Sequence, residues 1–357
     1  DLETIRQQQK VRRALEGQAP NPLVELLAGG LQSVLQNTPI VSGEVHLTTA
    51  GLELAFKSPL QSEWIPEERT FYFGPEMNGR TVALPQVDQT VLTLSTWRNV
   101  SEMWLRAGDL FDADMNDRLA EADTTLTTLF SGKDFAEDIL GSFEPEFGLI
   151  VARQEFADGV PVPAIRLPSF ALVLTQKTPE ETTRELRRIF QSLIGFLNIA
   201  GANEGRPQLE LDFDRTEDSE IITSTYIPDA ADSGTQNAPL IFNFSPSIGF
   251  RGKRTVISST SALAQQILNG ADAEDEGGVT NTHAQLNADA LQLILSDNRE
   301  QLVSQNMLSE GHTREEAETA IDLLLQVVGY FQDARLSLSH DQQTLMLRLA
   351  IHVENRN

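Results

Sequence analysis

An α+β fold, with mainly antiparallel sheets and helices packed on one face of each, is the class this sequence predicts. Two observations carry that reading. A helix leading into a two-stranded hairpin recurs along the chain, and the strand candidates are joined by short polar or proline-bearing turns.

The first unit is "NPLVELLAGGLQSVLQNTPIVSGEVHLTTAGLELAFK", Asn21 to Lys57. Leu23, Leu26, Leu27, Leu31, Val34 and Leu35 fall at helical spacing, an alternating pattern follows, and "TTAG" (Thr48 to Gly51) supplies the turn. Next, "FYFGPEM" (Phe71 to Met77) and "VLTLST" from Val91 read as strands, and Met115 to Phe130 and Asp134 to Leu140 as helices. Strands are expected at Phe147 to Phe156 and Ser169 to Gln176, with the three prolines of "ADGVPVPAIRLP" forming an exposed hairpin loop between them. Thr178 to Ile227 repeats the helix and hairpin, its start marked by Thr178, Pro179 and Glu181 as cap, first-turn proline and capping-box partner. "FNFSPSI" (Phe242 to Ile248) and "TVISST" from Thr255 then echo the earlier strands. The stretch "NGADAEDEGGVTNTH", Asn269 to His283, lacks apolar periodicity and reads as a mobile acidic linker. Two amphipathic helices follow, "ADALQLILSDNREQLVSQ" and "REEAETAIDLLLQVVGYF", the second opened by Thr313 and Glu316. Ala320 to Val353 closes the chain with helix, strand, polar turn and strand.

Matching points of the first two units, Pro22 with Pro179, Phe71 with Phe242 and Val91 with Thr255, lie 157, 171 and 164 residues apart. Their common order suggests a diverged duplication of about 160 residues. The expected organisation is a first α+β repeat over residues 1–142, a second over 143–270, and an acidic linker with a helix-hairpin unit over 271–357.

Composition removes several function classes. Lys and Arg number 27 against 52 Asp and Glu, a net charge of -25, so a nucleic acid or an anionic lipid would be repelled. Without cysteine there is no disulfide, thiolate nucleophile or cysteine metal site. No apolar run approaches the length of a membrane span. The opening "DLETIRQQQKVRRALEG" reads as the interior of a longer gene product from which a start or signal segment has been removed.

The best metal candidate is "FDADMNDRLAEAD", where Asp112, Asp114, Asn116, the Arg118 carbonyl and Asp123 follow the order of EF-hand calcium ligands. Asp117 replaces the turn glycine and Asp123 the longer glutamate, and Asp114 or Asn116 would serve equally as the N-cap of a helix over "DRLAEADTTLTTLF". No cofactor is therefore expected, with Ca2+ as the alternative. Asp272, Glu274, Asp275 and Glu276 read as solvated linker, and Glu210, Asp212 and Asp214 as the wet face of a strand. His46, His283, His312, His340 and His352 have no metal-binding spacing, no GxSxG elbow is present, and "SGK" at Ser131 to Lys133 lacks the rest of a P-loop. "GFRGKRT", Gly249 to Thr255, reads as a charged hairpin turn, and Trp97 and Trp104 as one buried helix face.

The order of "FSGKDFAEDILGSFEPEFGLIVARQEF", "LPSFALVLTQKTPEETTRELRRIF", "NFSPSIGFRGKRTVISSTSALAQQIL" and the final helix-hairpin resembles large exported bacterial proteins of the planctomycete type, containing a domain of unknown function. The resemblance spans most of Gly132 to Val353. It implies export, to the periplasm or outside the cell, and carries over no catalytic residue. The expected function is a non-catalytic binding or structural role toward an unknown protein or cell-surface partner. A hydrolase using dispersed carboxylates is the alternative.

Overall fold

Asn21 opens the first helix, α1 (Pro22–Asn37), by accepting the Val24 amide at 3.0 Å, and Pro22 occupies the first turn, where no N–H is needed. The computed structural model describes residues 21–353 apart from 131, 158, 204, 229–235, 272–279 and 342. After α1 come β1 (Ser42–Thr48), β2 (Gly51–Pro59), β3 (Thr90–Trp97), α2 (Val100–Leu105), α3 (Ala107–Leu110), α4 (Ala113–Leu129), β4 (Phe143–Ala152), β5 (Val162–Pro163) and β6 (Ser169–Gln176). The middle holds α5 (Pro179–Asn203), β7 (Leu209–Arg215), β8 (Ser219–Tyr226), β9 (Gln236–Ala238), β10 (Ser247–Arg251), β11 (Arg254–Ser258) and α6 (Ser261–Asn269). Last come β12 (Thr280–Asn287), α7 (Ala288–Asp297), α8 (Arg299–Glu310), α9 (Arg314–Val328), β13 (Phe331–His340) and β14 (Thr344–Val353).

Twelve strands make one antiparallel sheet, ordered β1-β2-β14-β13-β12-β3-β4-β6-β11-β10-β8-β7, while β5 and β9 form a small parallel pair. The fold is α+β. Each of the three stretches read as helix and hairpin is a helix followed by an antiparallel pair: α1 with β1 and β2, α5 with β7 and β8, α9 with β13 and β14. Their places differ. The first two hairpins close the ends of the sheet and the third lies inside it, so β2 adjoins β14 whereas β8 adjoins β10. Strands from residues 1–142, 143–270 and 271–357 all bond within this sheet.

Residues directly opposite across an antiparallel pair share a face, so the register fixes which helices lie on which side. Leu338, Leu345 and Leu347 pack with Val34 of α1 and Met103 of α2, and Ile222, Ile248 and Phe250 pack with Leu186, Phe190 and Ile194 of α5. Stepping through the register from Leu338 to Thr255 and Phe250 places these on one face. Val173, Val256 and Ile221 point the other way and pack with Leu263, Ala264, Ile267 and Leu268 of α6. The expectation of helices on one face is thus corrected to helices on both.

Arg98, just after β3, is fully buried. Its Nε donates to the Leu26 carbonyl at 2.8 Å, Nη1 to the carbonyls of Tyr72 and Trp97 and to Asn281 Oδ1, and Nη2 to Thr282 Oγ1 at 3.0 Å. The guanidinium also lies 3.4 Å from the centre of the Tyr72 ring. One side chain thereby joins α1, the 71–73 segment, β3 and β12.

Three local expectations give way to packing. Phe71, Tyr72 and Phe73 are not a strand: all three are buried, in a turn leading into a single 3-10 turn at Pro75–Met77, and Tyr72 Oη donates to the Leu27 carbonyl at 2.7 Å. Their counterpart at Phe242 lies in a 3-10 turn, Leu240–Asn243. Thr280 to His283, read as linker, belongs to the interior strand β12, where buried Asn281 and Thr282 meet Arg98; residues 272–279, with the four clustered acids, lie outside the described residues, as does Ser131. Trp97 ends β3 while Trp104 sits on α2, so they share no helix face. The long helix expected from Ala288 divides at Asn298, whose side chain accepts the Arg166 amide and donates to the Arg166 carbonyl, tying the proline-bearing loop down.

The adjacent glycines of α1 are close-approach positions. A Cβ on Gly30 would stand 2.3 Å from the Tyr72 ring, and one on Gly29 would stand 2.0 Å from Glu25 Oε1. Glu25 is itself buried and paired with Arg69 at 2.7 Å. Gly30→Ala is therefore expected to destabilise the protein by about 1–3 kcal/mol, as overpacking does. Gly195→Ala, in open space on α5, is expected to stabilise it by about 0.5–1 kcal/mol. Chemical denaturation of both variants checks this, and equal effects would overturn the packing argument.

Candidate functional site

The acids of Phe111 to Asp123 are placed by helix α4. Asp112 is its N-cap, accepting the Met115 amide at 2.9 Å, and Asp114 stands in the first turn. Asn116 donates to the Phe111 carbonyl at 2.9 Å, and Asp123 accepts from Trp104 Nε1 at 3.1 Å. Eleven residues of continuous helix separate Asp112 from Asp123, about 16 Å of rise. The four side chains are not brought together. Among the described residues, no group of three or more His, Asp or Glu is placed to hold a metal ion.

The other polar candidates are likewise dispersed. His46 meets Glu44 at 3.6 Å, His352 meets Asp333 at 2.8 Å and His312 meets Asn306 at 2.7 Å. Gly252, at φ 57°, makes the turn between β10 and β11, and Arg251 donates to the Leu268 carbonyl. Glu210, Asp212 and Asp214 share one side of β7. The carboxyl of Glu146 is held above the usual range, by burial first and with neighbouring Glu144 adding to it, while its own backbone and Lys177 oppose. The two acids lie in the irregular first part of β4, where the register to β6 shifts between Phe143 and Phe147.

What the fold does assemble is an apolar row. The register opposes, strand by strand, Val45, Leu54, Leu349, Leu336, Ala284, Leu94, Leu149, Leu172, Ile257, Ile248, Ile222 and Phe213. Every strand of the sheet contributes one residue, and none is polar. At about 4.8 Å between strands the row is roughly 50 Å long. Beside it runs a second, Leu47, Leu52, Ile351, Ala334, Leu286, Leu92, Val151 and Phe170, again without a polar group.

Helix α5 covers Ile248 and Ile222, and α1 with α2 covers the sheet nearer Leu338 and Leu345. The stretch between is open: Leu172 is 38% exposed, Ile257 39%, Phe170 48% and Leu336 36%, and toward the two ends Phe213 is 52% and Val45 64% exposed. Leu94, Leu149 and Leu349 are half-buried and belong to none of the core clusters. Isolated exposed apolar residues are ordinary; a contiguous apolar face of this extent is not. Sequence reading missed it because alternation shows that a strand has an apolar face without showing what covers it.

His340 ends β13 against this covered end. It is buried, its ring stands edge-on to Phe73 with centroids 5.6 Å apart, and neither ring nitrogen has a well-formed hydrogen bond. Burial lowers its pKa; Asp341 and the Gly79 backbone oppose that shift and Arg80 adds to it. No family model, curated protein or solved structure matches this chain.

Two predictions follow from these placements. Thermal unfolding in millimolar calcium is expected to match that in millimolar magnesium; a calcium-specific rise abolished by Asp112→Ala with Asp114→Ala would restore the metal reading. The lowered folded-state pKa of His340 gives stability that is full above the unfolded value of about 6.5 and is lost as pH falls through it, by up to about 1.4 kcal/mol per pH unit. His340→Leu should flatten that part of the stability profile between neutral and mildly acidic pH, and an unchanged slope would refute the assignment.

Proposed function

We propose that this chain is a non-catalytic binding protein of exported origin, working in the periplasm or outside the cell, and that its binding surface is the open apolar face of the sheet. The observation that carries this is the uninterrupted apolar row between α5 and the α1–α2 cover. Water gains free energy by leaving such a surface, about 25 cal/mol per Å² of apolar area covered, so an uncharged apolar ligand or partner is what it favours. The acidic exterior disfavours nucleic acid, and among the described residues no helix is long and apolar enough to cross a membrane. In this reading no cofactor takes part. The duplication read from the sequence belongs to the same proposal: a helix and hairpin at each end of the sheet lengthen the apolar row.

The hydrolase alternative rests on the raised carboxyl of Glu146 beside Glu144. A neutral solvatochromic dye such as Nile red separates the two readings. The native protein is expected to bind it with a blue-shifted emission, and Leu172→Gln with Ile257→Gln to weaken binding about tenfold without moving the melting temperature. Glu146→Gln should leave binding unchanged. Absence of dye binding, or binding indifferent to the double substitution, would overturn the assignment of the surface.

A further inference from the structure

The two edges of the sheet are built differently. Strand β7 carries Glu210, Asp212 and Asp214 in seven residues, so a second acidic copy approaching it meets like charge. Strand β1, "SGEVHLT", has one acid, one histidine, no lysine and no proline, and all seven residues are exposed. Among the described residues its backbone bonds only to β2, which leaves its outer row of amides and carbonyls open to another strand. Val45 and Leu47, 64% and 82% exposed, continue the two apolar rows to this edge.

We propose that β1 is a self-association site at which two copies pair their β1 strands antiparallel about Val45, joining two twelve-stranded sheets into one. The side-chain order selects this partner and this register. A two-fold axis at Val45 sets Val45 opposite its own copy, Gly43 opposite Leu47 and Ser42 opposite Thr48, and it sets Glu44 opposite His46 twice, once on each side of the axis. Centring the pair on Glu44 would oppose two glutamates, and centring it on His46 would oppose two histidines. The charges that match at Val45 already attract within one chain, where Glu44 lies 3.6 Å from His46 and 3.3 Å from Lys57 on the next strand. Because the two-fold keeps each residue on its own face, the row through Val45 runs on unbroken from one copy into the other, while Leu47 meets Gly43 of the other copy.

The test uses the full chain in sedimentation velocity over micromolar to millimolar concentrations. A concentration-dependent dimer is expected, of modest affinity because one strand pair is a small interface. His46→Glu alone sets glutamates opposite one another twice, and Glu44→Lys alone removes both carboxylates that face His46; each should weaken association about tenfold. An equimolar mixture of those two variants sets lysine against glutamate and should recover the dimer at wild-type strength, which misfolding of either variant would prevent. Val45→Lys, with unchanged melting temperature, should abolish it. A monomer at every concentration, a dimer indifferent to Val45→Lys, or a mixture no tighter than its components would overturn the proposal.

Discussion

Everything on the covered end of the sheet depends on the burial of one guanidinium. Among the described residues Arg98 makes no ion pair, and its hydrogen bonds go to neutral oxygens of Leu26, Tyr72, Trp97, Asn281 and Thr282. Burial pushes its pKa down, and the adjoining Tyr72 ring favours the charged form. A buried charge of this kind is tolerable only where its donors are met, and removing the arginine would take one hydrogen bond from each acceptor, although the Tyr72 carbonyl, Asn281 Oδ1 and Thr282 Oγ1 each keep another partner. The arrangement ties its elements together. α1, the 71–73 aromatics, β3 and β12 must arrive together, and once they do the position of α1 over Leu338 and Leu345 is fixed.

That fixed cover explains why the apolar face beyond it stays open. α1 is held at the Arg98 end by a carbonyl and by close contact of Gly30 with Tyr72, and α5 is held over β8 and β10 by Phe190 and Ile194. Neither helix can slide toward Leu94, Leu149 and Leu172 without giving up buried contacts. The opposite face has α6 beneath β10 and β11, so this part of the sheet is stabilised from behind while its front remains available. A surface that would be unstable as an isolated sheet is supported by packing that does not use it.

The three helix-hairpin stretches, the Ser169 to Gln176 strand and the Thr313 capping box were legible because periodicity, turn chemistry and capping are local properties. β12 was not, since Thr280, Asn281, Thr282 and His283 carry no apolar signal; the partner that makes them interior, Arg98, stands far away in the chain. The run Phe71 to Phe73 looked like a strand because aromatic residues favour strands, and it became a buried turn because all three rings have cores to fill. At the candidate site a capping acid was legible but not which one: Asp114 or Asn116 was expected, and Asp112 caps instead because the helix already begins at Ala113. The apolar row was not, because it exists only in a register between strands that meet from opposite ends of the sequence.

The position of β14 bears on how the molecule is made. Leu54 pairs with Leu349, almost three hundred positions later, and β1 with β2 joins the rest of the sheet only through β14. A chain emerging from a ribosome or a translocon would expose its first hairpin, with Val45, Leu47 and Phe56 outward, until nearly all the rest had followed. Closing so long a loop is slow, and high contact order extends the time during which an unguarded strand can meet another chain. The hairpin of β1 and β2 precedes its docking strand β14 by almost the whole described chain. Until β14 pairs with β2, both edges of that hairpin are open to another strand, so the route to the native sheet is more exposed to wrong pairing than the finished sheet is.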